Sequence, residues 1–204
     1  MISSKCKIPE LPHNPADVGR ENPCPTPKAG RSLASFVDSY RSEARSVHLH
    51  LSCCLRIMDF GELTSFATGA DGKRSSHQRR IPVAVIARVN RNLRRHAVRL
   101  REAQSFDELL KMIEACAVSG FGKLSCYDTA LRIGVWLSRM PERVYLHAGT
   151  RKGARALGVK AGGRSLNMSD LPAKLRELRP FEIEDFLCVF KSQLRRVAVN
   201  RGEQ

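Results

Sequence analysis

Ser119-Gly120-Phe121-Gly122-Lys123 lies between two apolar patterns of helical period, and the fold turns on how it is read. Glycine accepts backbone angles that side chains resist, so glycine-apolar-glycine suits a tight turn whose backbone stays open to an approaching group. Upstream, Ser105-Phe106-Asp107-Glu108 has the form of a capping box: the serine hydroxyl accepts from the N–H of Glu108, and the Glu108 carboxylate reaches back to the N–H of Ser105. Phe106, Leu109, Leu110, Ile113 and Ala117 then predict a helix with one buried stripe, stopped by Gly120. Downstream, Cys126, Ala130, Ile133 and Leu137 predict a second helix, ended by Pro141, with Phe121 plugging the gap between the two.

Residues 105–138 thus read as a helix-hairpin-helix. The N-terminal end of its second helix would turn free N–H groups and the positive end of the helix dipole outward, toward a phosphate. Gly120 and Gly122 would let that phosphate come close, Lys123 would add a full charge, and Ser125 a hydroxyl. Such a device touches the backbone and no base edge, so it predicts a grip independent of sequence. The competing reading is an ordinary αα-turn with a terminal glycine.

Lys and Arg number 35 against 20 Asp and Glu, a formal charge of +15 over 204 residues. Nucleic acid is the usual partner of such a surplus, through counterion release; an anionic membrane surface and a charge that only keeps the protein soluble are the alternatives. The surplus is concentrated between Lys73 and Arg101, where ten basic residues occur without one acid. Pro82 suits a first helical turn, after which Ile86, Val89, Leu93, Ala97 and Leu100 define one face and Arg88, Arg91, Arg95 and Arg99 the opposite one. An arginine face this dense repels itself, which a phosphate backbone would relieve and water would merely screen.

Residues 1–30 hold Pro9, Pro12, Pro15, Pro23, Pro25 and Pro27 and few large apolar groups, which predicts a disordered Pro-rich tail. Residues 31–204 are expected to form a single helical domain. Ser32 is a plausible N-cap for a helix carrying Leu33, Phe36, Val37 and Tyr40; a second apolar run covers Leu49 to Phe60, and Gly69 to Lys73 reads as a turn. Beyond the hairpin come a short apolar run, Val144-Tyr145-Leu146, and a helix capped by Thr150 and running to Gly158, with Arg151 and Lys152 in its first turn. Cations there oppose the dipole, a penalty that a bound phosphate would reverse and that side chains extending into water would only reduce. After a Gly162-Gly163 loop, Ser169 or Asp170 caps a short helix to Leu178, and Arg179-Pro180 breaks it. In the last helix Ile183, Phe186, Leu187, Phe190 and Leu194 are the buried set; Glu182, Glu184 and Asp185 suit its N-terminal dipole, and Lys191, Arg195 and Arg196 its C-terminal end. Strand-like alternation is scarce and no repeat is visible, so the fold class is mainly α.

No stretch approaches the roughly 20 apolar residues that span a bilayer, and Met1 to Cys6 lacks a signal peptide's apolar core, so a cytoplasmic protein without a membrane partner is expected. Seven cysteines at irregular positions argue against a disulfide framework; Cys116, Cys126 and Cys188 fall inside apolar helical patterns and pack as small hydrophobes. His48 and His50 with Cys53 and Cys54 form the one candidate metal cluster, and adjacent cysteines chelate a single ion poorly, so neither metal nor other cofactor is expected.

Val118-Ser119-Gly120-Phe121-Gly122-Lys123-Leu124-Ser125 resembles the hairpin of helix-hairpin-helix DNA glycosylases of the endonuclease III type. The resemblance runs from about Ser105 to Gly158 and implies a helical, DNA-binding protein. It also implies a catalytic aspartate after the short apolar run, where this chain has His147. The catalytic lysine of the bifunctional members would fall at Leu124, with Lys123 one residue away, and the iron–sulfur cysteine cluster of some members has no counterpart, Cys188 being alone near the C-terminal end. Without an anion to stabilise positive charge on the sugar, the standard glycosylase reaction is not expected. His77-Gln78-Arg79-Arg80-Ile81-Pro82 and Tyr145-Leu146-His147-Ala148-Gly149-Thr150-Arg151 also resemble strings in a group of bacterial proteins, a likeness that implies no activity.

The expectation is therefore a non-catalytic or catalytically altered DNA-binding protein, with RNA binding through the same hairpin possible and not separable from DNA by sequence. A DNA-processing enzyme using His147 as general base, or an acid such as Asp128, is one alternative, although Asp128 most simply pairs with Arg132 one turn on. A basic protein-interaction module, its protein partner undefined, is the other.

Overall fold

The computed structural model describes residues 32–43 and 79–197. The predicted tail, the Leu49 to Phe60 run, the Gly69 to Lys73 turn, Lys73 and Arg74, and the His48, His50, Cys53 and Cys54 cluster lie outside them. The described chain is mainly helical: α1 (Leu33–Glu43), α2 (Val83–Arg95), α3 (Ala97–Glu102), α4 (Phe106–Cys116), α5 (Lys123–Leu137), α6 (Ala148–Ala156) and α7 (Pro180–Val189). A two-strand antiparallel ribbon, β1 (Val144–Tyr145) and β2 (Ser165–Leu166), separates α5 from α7 in the chain and pairs Val144 with Leu166.

The apolar interior is divided in two. One cluster gathers α2 to α5 around Val89, Leu93, Leu100, Leu109, Ile113, Tyr127 and Ile133. The other joins α1, α6 and α7 through Val37, Ala154, Leu175, Ile183, Phe186 and Leu187. The ribbon runs between them, and its period of two decides which residue goes where: Tyr145 enters the first cluster, Val144 and Leu146 the second.

Most helices follow their sequence signals, with instructive displacements. Ser32 caps α1 by accepting from the N–H of Ser35 at 3.3 Å, and Phe36, Val37 and Tyr40 are buried as expected. The basic segment is two helices, not one. α2 begins after Pro82 and breaks at His96, so Arg99 sits on α3, while Ile86, Val89, Leu93 and Leu100 are buried as the spacing requires. Ser105 caps α4 through the N–H of Glu108 at 3.2 Å, but the Glu108 carboxylate accepts from Gln104, one residue before the cap. α4 ends at Cys116, four residues before Gly120, because Ala117 turns extended; α5 ends at Ser138 in the left-handed region, ahead of Pro141. Ser138 closes α5 as glycine would, letting the N–H of Arg139 reach the carbonyl of Gly134 at 2.7 Å.

Thr150 does not cap α6. His147 holds that position and Thr150 is buried inside the helix, whose end is closed by Gly158 at φ +78°. The expected short helix before Leu178 is two 3-10 turns, Met168–Asp170 capped by Asn167 and Leu175–Glu177, separated by Pro172. Pro180 opens α7 rather than ending the element before it, with Glu182 accepting from the Arg179 N–H at 2.7 Å. At the other end α7 stops at Val189, where Lys191 donates to the Cys188 carbonyl at 2.9 Å; Leu194, Arg195 and Arg196, expected in the same helix, form a separate 3-10 turn. α6 crosses α7 closely because Gly149 faces the Cys188 side chain and Gly153 faces the Leu187 carbonyl.

Candidate functional site

Two places bring chemistry-bearing groups together. The first is the six-residue connection between α4 and α5, residues 117–122. Its turn is closed by the Phe121 N–H on the Val118 carbonyl at 2.9 Å, with Gly120 at φ +89° in the position that wants a left-handed residue. Phe121 is buried in the first cluster, filling the gap between α4 and α5. Gly122 is the N-cap of α5 and is exposed; nothing would lie within 4 Å of a Cβ placed on it. A side chain at Gly122 would thus meet no neighbour, no side chain caps the start of α5, and Lys123 is exposed beside it. Ser125 departs from expectation: it is buried in the first turn, so its hydroxyl is not presented at the mouth.

α2 lies along this connection. A Cβ on Gly120 would stand 3.4 Å from Cγ2 of Val85, and Asn92 donates to the Cys116 carbonyl at 2.9 Å, capping α4. Val85 and Asn92 thus mark the edge of α2 that touches the connection. Arg88 is three residues after Val85 and four before Asn92, and Arg95 three after Asn92, so both flank that edge. Arg88, Arg91, Arg95 and Arg99 are all exposed, but Arg91 is turned further round α2 and Arg99 has left it for α3.

Arg151 and Lys152 belong to the other half. Arg151 neither extends into water nor waits for an anion: its guanidinium donates to the carbonyls of Ala161, of Gly163 at 3.0 Å and of Leu146 at 3.3 Å. It ties the 161–163 loop to the Leu146 carbonyl just after β1. Lys152 is exposed on α6.

The second place is polar and lies where the two apolar clusters meet. His147, at the start of α6, stacks its ring against Tyr127 of α5 at 4.8 Å between centroids, and its Nε2 is buried with no hydrogen-bond partner. Burial lowers its pKa, opposed by the Asp128 carboxylate and reinforced by Arg164 and Arg151, so the ring is neutral at neutral pH. Tyr127 is 1 % exposed and its hydroxyl also has no partner; burial, then Glu184 and Asp128, drive its pKa well up. Thr150 donates to Glu184 at 2.6 Å, yet burial, reinforced by Asp128 and Asp185, pushes the Glu184 carboxyl up to about 8. Tyr40 donates to Asp185 at 3.1 Å, and burial raises that carboxyl too. Glu184 and Asp185 thus do not serve the α7 dipole as the sequence suggested; Glu182 does. Arg132 is buried on the next turn of α5 and donates to Thr129 at 3.3 Å.

Nothing in the sequence joined Tyr127, His147 and Glu184. The available signal was the phase of α7, in which Glu184 lies one residue from Ile183 and two from Phe186, near the edge of its buried face. Among the described residues no group of three or more His, Cys, Asp or Glu could hold a metal ion, and no helix is long and apolar enough to cross a membrane. Comparison of the chain with protein-family models, with curated proteins and with solved structures finds no match.

Proposed function

We propose that this protein binds nucleic acid by its backbone phosphates, without reading sequence, using the 117–122 connection as the turn of a helix-hairpin-helix. The observation that carries the reading is the uncapped start of α5: Gly122 is exposed with no neighbour near a Cβ placed on it, no side chain caps the first turn, and Lys123 stands exposed beside it. A phosphate there would accept from first-turn N–H groups at the positive end of a 15-residue helix. Arg88 and Arg95 would take neighbouring phosphates along the same strand, giving the arginine edge of α2 its partner. Arg151 has no part in this grip.

Titration of duplex and single-stranded DNA, and of an RNA strand, at several salt concentrations tests it. Affinity should fall steeply with salt, vary little with sequence, and drop when Gly122→Asp sets a carboxylate in the mouth of a variant verified as folded. Weak binding indifferent to both salt and Gly122→Asp overturns the reading and leaves a protein-interaction module. The catalytic alternative has one observation in its favour, a neutral His147 with a buried, unpartnered Nε2 that feels the Asp128 carboxylate. Damaged-base and abasic duplexes incubated with the protein, and with His147→Ala, decide it by the appearance or absence of product.

A further inference from the structure

Two stretches of the C-terminal half lack acids altogether. Between Glu142 and Asp170 lie six basic residues and no acid, and between Asp185 and Glu203 four more and no acid. The fold brings these stretches together. Gly149 of α6 faces the Cys188 side chain and Gly153 faces the Leu187 carbonyl, so α6 crosses the end of α7; the 3-10 turn Leu194–Arg196 beyond it packs on α6 as well. The glycine side of α6 faces inward with Ala154 and Leu157, which leaves Lys152 and Arg155 exposed on the outer face, one turn apart. In the turn, Leu194 and Val197 are buried while Arg195 and Arg196 between them are exposed. Lys191, also exposed, stands between α7 and the turn.

The acids of this half are committed elsewhere. Glu177 pairs with Arg41 and with Lys174, each at 3.1 Å, and Glu182 with Arg179 at 3.0 Å. Asp185 accepts from Tyr40, and Glu184, in the polar seam where the two apolar clusters meet, accepts from Thr150. Among the described residues no ion pair reaches Lys152, Arg155, Lys191, Arg195 or Arg196. Cations gathered without a counter-charge repel one another, a cost that a bound polyanion removes.

We propose that the outer face of α6 and the 3-10 turn after α7 form a second surface for nucleic-acid phosphates, built by the half of the molecule that does not hold the hairpin. A strand backbone presents a row of anions, which suits cations set a helical turn apart on α6 and continued by the turn. A lipid surface fits less well: a helix lying on one needs large apolar side chains to insert, and the exposed face of α6 offers only Ala148 beside its two cations. The inference rests on the nucleic-acid partner proposed above but on no residue of the hairpin.

Titration of labelled duplex DNA and of a labelled single strand with the full chain, by fluorescence anisotropy at several salt concentrations, tests it. Lys152→Ala with Arg155→Ala, and Arg195→Ala with Arg196→Ala, give two double variants of exposed residues, each verified as folded by circular dichroism. Counterion release contributes a slope of about 0.9 per phosphate on a duplex and about 0.7 on a single strand, so each double variant should lower the slope of log K against log salt by roughly 1.4 to 1.8, and their combination by about twice that. Lys111→Ala with Arg176→Ala removes two exposed charges elsewhere and should leave the slope unchanged. An unchanged slope in the α6 and turn variants, or an equal loss in the Lys111 and Arg176 comparator, overturns the second surface. So does a loss of binding to phosphatidylserine vesicles with binding to DNA spared, which assigns the cations to a lipid surface. Gly122→Asp separates this inference from the hairpin reading. If it weakens binding and the α6 and turn variants do not, the hairpin stands and the second surface falls; the reverse result overturns the hairpin and keeps the surface. A wild-type chain that binds neither nucleic acid overturns both.

Discussion

Gly153 decides whether α6 can reach α7. A Cβ at that position would lie 2.1 Å from the Leu187 carbonyl oxygen, 2.8 Å from its carbon and 3.0 Å from its Cα. These are backbone atoms in the last turn of α7, so no rotamer change relieves the clash. The methyl group of Gly153→Ala falls more than about 1 Å short of ordinary contact, and α6 must back away from α7 by a comparable amount. Overpacking of this kind costs about 1–3 kcal/mol, with the upper end appropriate where only backbone can yield. Alanine's better helix propensity returns at most about 1 kcal/mol. The net expectation is a loss of about 2 kcal/mol, or a Tm lowered by about 4–8 °C for a chain of this size. Gly162→Ala is the comparator, since a Cβ there would meet nothing within 4 Å, and its stability should stay within about 0.5 kcal/mol of wild type. Urea unfolding followed by circular dichroism gives both numbers. A Gly153→Ala variant as stable as the parent would refute the close crossing, and with it the placement of Thr150 against Glu184.

Lys123→Ala should weaken nucleic-acid binding similarly for all sequences and reduce the slope of log K against log salt by about 1, as should Arg88→Ala, in the same salt titration. Arg151→Ala should leave that slope alone and instead lower stability by on the order of 1–3 kcal/mol, because the carbonyls of Ala161, Gly163 and Leu146 lose a charged donor; chemical denaturation separates the two effects. His147 should titrate below its usual value in proton NMR. Its contribution, present above pH 6.5, is lost as pH falls from there toward the lowered folded value, so His147→Phe should flatten the acid limb of a stability profile.

How far the sequence could be read depended on whether a signal was local. Ser105 with Glu108, Ser32 with Ser35 and the stripe from Phe106 to Ile113 involve residues within a turn or two of each other, and helix period alone placed them. The displaced ends of α4 and α5 show the limit of that logic. Gly120 and Pro141 are strong breakers, but Asn92 capping Cys116 from another helix, and Ser138 accepting a left-handed backbone, stopped the helices sooner. The exposure of Gly120, Gly122, Lys123, Arg88 and Arg95 was legible because a turn signal and a helical face named them. Arg151 was not, since its three carbonyl acceptors come from the ribbon and its loop, up to 12 residues away. The seam was hidden for the same reason: Tyr127, His147 and Glu184 are 20 and 37 residues apart in the chain, and each carries a reasonable local explanation.

The two places also differ in what they cost the fold. Exposed cations on α2 and beside Gly122 sit in water, where mutual repulsion is screened over about a Debye length, so they can be gathered for a partner with little loss of stability. The seam concentrates acids inside a chain of net charge +15 and orphans two polar atoms. At neutral pH a carboxyl held protonated against an ordinary value of 4.5 opposes folding by about 1.4 kcal/mol for every unit of the interval it must span. Apolar substitutes of similar volume for Glu184 and Tyr127 would avoid that penalty and continue the clusters around Phe186 and Ile133 respectively. A protein selected only to present a basic face has no physical need of such a seam.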